Sequence, residues 1–200
     1  MTKSEVGVVE GIDDGYVEDA LRLAYEAFAE KFRVGFRDAD DLVRLFGDSV
    51  NTGHCFTAIA DGKLVGILMF QTADREFFHP KLAAAFTRFS PVRALRIVLN
   101  LLLLTRTAQP DEFIVDSLAV SPAARGSGIG TRLMARAEDK ARAMGKNTMS
   151  LDAIGENAGA IRLYERVGFK TTRIRRSKWL ELAIRSKEVR RLEKPLTERG

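Results

Sequence analysis

Apolar residues recur along this chain at two different periods, and the switches between them lay out its elements. Val17, Leu21, Ala24, Phe28 and Phe32 fall at helical spacing, one stripe of an amphipathic helix over 17–32. Ala39 to Phe46 predicts a second, shorter helix, and Val6 to Val9 a short first strand. Cys55 to Ala60 and Leu64 to Gln71 are apolar runs of strand length on either side of Asp61-Gly62-Lys63. Asp-Gly favours the tight turns that match strand twist, so a β-hairpin is expected there.

Past the hairpin the period returns to helical. Phe77, Phe78, Leu82, Ala85, Phe86 and Phe89 form one stripe, Pro91 interrupts it, and Val92, Leu95, Val98, Leu99 and Leu102 form another. Two helices are expected over 76–106. After Pro110 the pattern predicts a strand over 113–120, a glycine-rich turn, a helix over 129–144, a strand over 147–153 and a helix over 157–167. Gly168-Phe169 reads as a helix stop followed by a strand to about Arg175. A short helix over Trp179 to Lys187 and a last strand over Val189 to Leu196 complete the chain. Alternating strands and helices place the protein in the α/β class. One domain over 1–200 is expected, a mixed central sheet with helices on both faces.

Composition narrows the class. The 200 residues are 46% hydrophobic and 30% charged, ordinary for a water-soluble globular chain. The net charge of +5 suits anionic ligands but is too small to imply nucleic acid. Cys55 is the single cysteine, so no intrachain disulfide can form, in keeping with a cytoplasmic location. The most apolar run, Leu95 to Leu104, contains Arg96 and Asn100 and is much shorter than the ~20 residues that span a bilayer. No membrane partner is expected. His54 and His79 are the only histidines and lack metal-ligand spacing, so no metal is expected.

The candidate chemistry lies in Ser121-Pro122-Ala123-Ala124-Arg125-Gly126-Ser127-Gly128-Ile129-Gly130-Thr131. A strand, a glycine turn and a helix start make an anion site. The first N–H groups of a helix lack intrahelical partners, the helix dipole favours negative charge there, and glycine admits a ligand close to the main chain. A phosphate or pyrophosphate is the expected ligand. A Walker loop is excluded, because Gly130-Thr131-Arg132 stands where Gly-Lys-Ser/Thr is needed. A dinucleotide fingerprint is met only in part: Thr131 occupies its third glycine, although Asp152 lies a suitable distance downstream.

Arg125-x-x-Gly128-x-Gly130, after Leu118-Ala119-Val120-Ser121-Pro122, resembles motif A of the GNAT N-acetyltransferase superfamily. Asn157-Ala158-Gly159-Ala160-Ile161-Arg162-Leu163-Tyr164-Glu165-Arg166-Val167-Gly168-Phe169 resembles its motif B, in the right order and at the right separation. The resemblance covers about residues 54–72 and 112–196. Relative to a minimal member of the superfamily, residues 74–110 are a helical insertion, with three readings: a lid over the acceptor site, a face of a homodimer, or extra core.

The resemblance implies acetyl-CoA as acyl donor and a primary amine, on a small molecule, peptide or protein, as acceptor. It implies that the strand over 113–120 splays from that over 147–153, with the pantetheine arm bound near Leu118, Ala119 and Val120. The pyrophosphate would rest on Arg125, Gly126, Ser127, Gly128, Ile129, Gly130 and Thr131. Tyr164 is expected to protonate the leaving thiolate, and Asn157 to cap its helix or bond the pantetheine arm. Asp152 is the first candidate base, Asp116 the second and Glu112 the third. Cys55 reads as a small buried residue. The run Arg173-Ile174-Arg175-Arg176 reads as a strand with a charged outer face, solvated or in contact with an acidic acceptor or a CoA phosphate. The rival to catalysis is a silent acyl-CoA-binding or sensing domain.

Overall fold

The computed structural model of the protein describes residues 6–78, 82–104, 106–176 and 186–196. Seven strands form one mixed sheet: β1 (Gly7–Glu10), β2 (Cys55–Ala60), β3 (Lys63–Gln71), β4 (Glu112–Val120), β5 (Thr148–Ile154), β6 (Lys170–Arg176) and β7 (Glu188–Pro195). Their order is β1-β2-β3-β4-β5-β7-β6. Every pairing is antiparallel except β4 with β5. The hairpin turns where Asp61 and Gly62 both adopt positive φ, the conformation that a tight primed turn requires.

The helices are α1 (Val17–Ala27), α2 (Ala29–Phe32), α3 (Ala39–Phe46), α4 (Leu82–Arg88), α5 (Pro91–Leu104), α6 (Ile129–Ala143) and α7 (Ala158–Arg166). They sort by face. Along β4, Ala119 joins a core with Leu21, Phe36, Met69 and Ile97 under α1, α3 and α5. Phe113 and Val115 join the opposite core, with Leu133, Leu151 and Leu192 under α6 and α7. Phe70 stacks on Phe113 at 4.7 Å and anchors that second core. The two sides are called here the α1 face and the α6 face.

The expected elements differ from the observed ones in two places. The helix read over 17–32 breaks at Phe28, which leaves helical geometry (φ −125°, ψ 30°). The break redirects the chain so that Phe32 and Phe36 both enter the core, with ring centroids 6.1 Å apart. Phe77 and Phe78 are not helical: Phe78 forms a lone antiparallel bridge with Val50. Its ring meets Phe46 at 5.0 Å, so cross-chain aromatic packing prevails over the local helical period. The helix read over 179–187 falls, save its last two residues, outside the described residues.

The α4–α5 insertion is docked as core on α3. Ala85, Phe89, Ala94 and Ile97 are buried. Asp41, 3% exposed, accepts hydrogen bonds from the Arg37 main chain at 3.0 Å and from Arg93 of α5. The Arg93 guanidinium also lies 4.9 Å from the Phe89 ring centroid. Arg88 reaches back from α4 to Asp48 at 2.6 Å. Of the apolar stripe that the spacing picks out on α5, Val92, Leu95, Leu99 and Leu102 are each more than half exposed, while Val98 packs against the core. Because α5 is apolar on nearly every side, periodicity alone does not say which stripe turns inward.

Candidate active site

β4 and β5 begin side by side and then part. Their pairing runs Glu112↔Thr148, Phe113↔Met149, Ile114↔Ser150 and stops, although β4 continues to Val120 and β5 to Ile154. β4 meanwhile stays on β3 to its end, with an irregularity that leaves Asp116 as an extra residue between Val115↔Phe70 and Ser117↔Met69. Such a bulge bends the strand that carries it. Beyond Ile114 a gap therefore opens between two strands of one sheet.

The ladder fixes which groups line it. Ser121 donates its N–H to Val65 on β3 at 2.9 Å. Main-chain groups alternate sides along a strand, so those of Ala119 point to β3 and those of Leu118 and Val120 point into the gap. Arg125 confirms the direction, donating from Nε to the Val120 carbonyl at 3.2 Å.

The gap leads to the glycine turn. Pro122–Ala124 form a single helical turn, Gly126 and Gly128 take φ of +78° and +85°, and α6 starts at Ile129. Only glycine adopts that backbone without strain. A Cβ at Gly126 or Gly128 would meet nothing within 4 Å, so the space over the turn is open. Among the described residues, no protein acceptor serves the main-chain N–H groups from Gly126 to Thr131. Ser127 is held by its Oγ donating to the Ala124 carbonyl at 2.6 Å. The result is an open cradle of N–H donors at a helix start, with anion-binding geometry.

α7 lies across the α6 face of the gap. A Cβ at Gly130 would sit 3.1 Å from Leu163 of α7 and within 4.0 Å of Leu118 and Val120. Asn157 caps the helix, its Oδ1 accepting from the Ala160 N–H at 3.1 Å, worth about 1 kcal/mol. Tyr164 is 7% exposed, with Phe169 6.2 Å away. Burial pushes its phenol up to about 12. Its hydroxyl forms no hydrogen bond to the protein among the described residues.

The carboxylates all carry partners. Asp152 receives two hydrogen bonds from Arg191 of β7, Nε to Oδ1 at 2.5 Å and Nη2 to Oδ2 at 2.8 Å. Asp116 accepts from Ser117 Oγ at 3.2 Å. Glu112, 7% exposed, sits on the first rung of the β4–β5 ladder and reaches the last one, bonded to Ser150 Oγ at 2.5 Å and to Arg106. Burial opposes its charge, but the Ser150, Gln109, and Arg106 contacts prevail and lower its pKa. Arg106 also donates to Ser150 Oγ at 2.9 Å, so the end of the insertion is tied to the vertex of the gap. The sequence alone gives no sign of the Arg106 and Arg191 contacts, since both depend on which strands become neighbours.

Other candidates fall away. Cys55 is buried and its thiol is pushed up to about 12 by desolvation, which leaves it an inert core residue. No cluster of metal-ligating side chains occurs among the described residues. None of the described helices is long and apolar enough to cross a membrane.

Comparison with known proteins gives this geometry a context. Over 74 residues the chain is 36% identical to the L-methionine sulfoximine/L-methionine sulfone acetyltransferase of Salmonella typhimurium, a match that spans 34% of this chain and 43% of that relative. The fold resembles Ard1 from Thermoplasma volcanium, with a TM-score of 0.63 and 14% identity over 96% of this chain and 99% of that one. It also resembles a Bacillus subtilis acetyltransferase in complex with CoA, with a TM-score of 0.54 and 18% identity over 98% of this chain and 100% of that one. The family pattern described as Acetyltransferase (GNAT) family matches residues 21–169. The chain belongs to the acetyltransferase (GNAT) family of acyltransferase enzymes.

Proposed function

We propose that this protein is an N-acetyltransferase that moves the acetyl group of acetyl-CoA directly to a primary amine. The observation that carries the reading is the gap between β4 and β5, continuous with an open cradle of N–H donors from Gly126 to Thr131. A pantetheine arm is a chain of amides, and it complements the main-chain groups of Leu118 and Val120 as a missing strand would. The pyrophosphate fits the cradle at the start of α6, with Arg125 beside it.

The residues around the gap then divide the chemistry. Leu118 and Val120 hold the arm, and an N–H of this edge polarises the thioester carbonyl as negative charge develops on its oxygen. The amine nitrogen forms a bond to the carbonyl carbon, the C–S bond breaks, and the sulfur leaves as thiolate. Tyr164 donates a hydrogen bond to that sulfur. The proton lost by the amine passes to a carboxylate at the lip of the gap or to water. Asp152 and Asp116 are the candidates, and at Asp152 the role competes with the two hydrogen bonds from Arg191. Asn157 caps α7 in either case and supports the position of Tyr164. Much of the rate enhancement comes from holding the two reactants in attack geometry.

The acceptor is best read as a small amine. The Salmonella relative is named for two derivatives of a free amino acid. Isothermal titration of the folded protein with acetyl-CoA, with NAD as control, tests the donor. Micromolar binding of acetyl-CoA alone is expected. Its absence would reduce the protein to a fold relative without the activity.

A further inference from the structure

Among the described residues, the gap is open toward one side, where Ser150 and Val189 are buried but a row of charged side chains remains. On the α6 face it is covered by α7. On the α1 face the core under α1, α3 and α5 takes in β2, β3 and β4 but no residue of β5, β7 or β6. An acceptor thus reaches the thioester across a ledge made by those three strands. The registers set out a row along it. Past the last rung, Ile114↔Ser150, Asp116 is the extra residue of the β4 bulge and Asp152 lies two residues further along β5, so each edge of the gap carries a carboxylate. Asp152 is opposite Arg191 on β7, and Arg191 is opposite Arg173 on β6. Neighbouring strands lie about 4.8 Å apart. Carboxylates therefore flank the gap, and guanidiniums follow one and two strands away.

These guanidiniums are unequal. Arg191 spends Nε and Nη2 on Asp152. Arg175, 53% exposed, approaches Asp152 only to 3.8 Å. Arg173 is exposed and forms no hydrogen bond or ion pair among the described residues. Among the described residues, the outer part of the ledge thus carries one guanidinium with no ion pair, Arg173, and one with a long ion pair, Arg175, next to a gap edged with carboxylates.

Resting on the acetyltransferase reading, we propose that the acceptor is a zwitterion whose amine enters between Asp116 and Asp152 while an anionic group, a carboxylate a few bonds away, is held by Arg173 and Arg175. An ammonium is drawn to the carboxylate lip and gives up its proton there. The anion must then lie away from those carboxylates, and the ledge supplies planar donors that bind it. A polyamine or other multiply cationic amine would set its second charge against the same arginines, so such acceptors are disfavoured.

Steady-state kcat/KM for a matched set of L-amino acids, their α-amides and the corresponding decarboxylated amines tests the inference. The acids are expected to exceed the amides and amines by about tenfold or more, the scale of one lost charge-assisted contact. The double variant Arg173→Gln/Arg175→Gln, on an exposed edge strand, should erase that preference through KM, with kcat and acetyl-CoA affinity little changed. Amides or amines used as well as acids, or a preference that survives in the variant, would overturn it. Should no member of the set be acetylated while acetyl-CoA binds, the CoA-bound protein is titrated with N-acetyl-amino acids and their amides. Preference for the carboxylates sustains the ledge even as the catalytic reading fails; equal binding or none overturns the ledge.

Discussion

At the scale of single residues, Tyr164 sets the terms of the proposed chemistry. A phenol at about 12 is neutral throughout the working range of the protein. An ordinary thiol ionises near 8.5, so complete proton transfer from this phenol to a thiolate is uphill by about 5 kcal/mol. The hydroxyl therefore serves as a hydrogen-bond donor that steadies charge building on sulfur, and water completes the protonation. Tyr164→Phe is expected to lower kcat on the order of a hundredfold, with acetyl-CoA affinity nearly unchanged. The pH–rate profile below pH 10 should keep its shape in the variant, because Tyr164 does not titrate there. Turnover equal to the parent's would remove Tyr164 from the reaction and favour a silent acyl-CoA-binding domain.

At the scale of elements, the α4–α5 insertion is held by charge as much as by apolar contact. Asp41 is almost wholly buried and relies on the Arg37 main chain and on Arg93. Removing one partner of such a pair leaves a buried charge behind. Arg93→Ala is expected to cost about 3 kcal/mol in urea unfolding, while Arg96→Ala, on the exposed side of α5, should change stability by less than about 0.5 kcal/mol. The pH dependence has a definite sign. Burial raises the pKa of Asp41, but its hydrogen bonds to Arg37 and Arg93 outweigh this and the net shift is downward. A lowered carboxylate contributes stability above its unfolded value, near 4, and that contribution disappears as pH falls through the folded value. The difference between parent and Arg93→Ala should therefore shrink toward acid pH. Equal stability of the two proteins at pH 7 would mean that α5 is held by its apolar contacts alone.

The same elements show what was legible in the sequence. The hairpin, the glycine turn and α7 follow from local rules that tertiary packing does not contradict: Asp-Gly at a turn, positive-φ glycines before a helix, asparagine at an N-cap. The break at Phe28 and the strand-like geometry of Phe78 were not legible, because the first answers to the burial of Phe32 and Phe36 and the second to rings far along the chain, Phe32 and Phe46. Asp116 and Asp152 could be picked out as acids, but not their surroundings. Arg191 lies 39 positions from Asp152, and only the β5–β7 register brings the two together.

At the scale of the whole molecule, the short β4–β5 ladder divides the sheet. One plate is β1 to β4, the other β5, β7 and β6, and three rungs join them. The core under α6 and α7 spans the seam on one side, whereas the core under α1 stops at it. Main-chain bonding is thus continuous within each plate and sparse between them. On the proposed reading acetyl-CoA supplies the rungs that the chain lacks. At a hundred times its dissociation constant it should add about 2.7 kcal/mol, a rise in Tm on the order of 5–10 °C. Amide hydrogens of Leu118 and Val120 should exchange quickly in the free protein and slowly in the bound one. Unchanged exchange at both, with acetyl-CoA bound, would place the donor elsewhere. A seam closed by a substrate has a consequence for fatigue: each turnover removes the brace that the donor provides, so the enzyme is most fragile when starved and toughest when supplied.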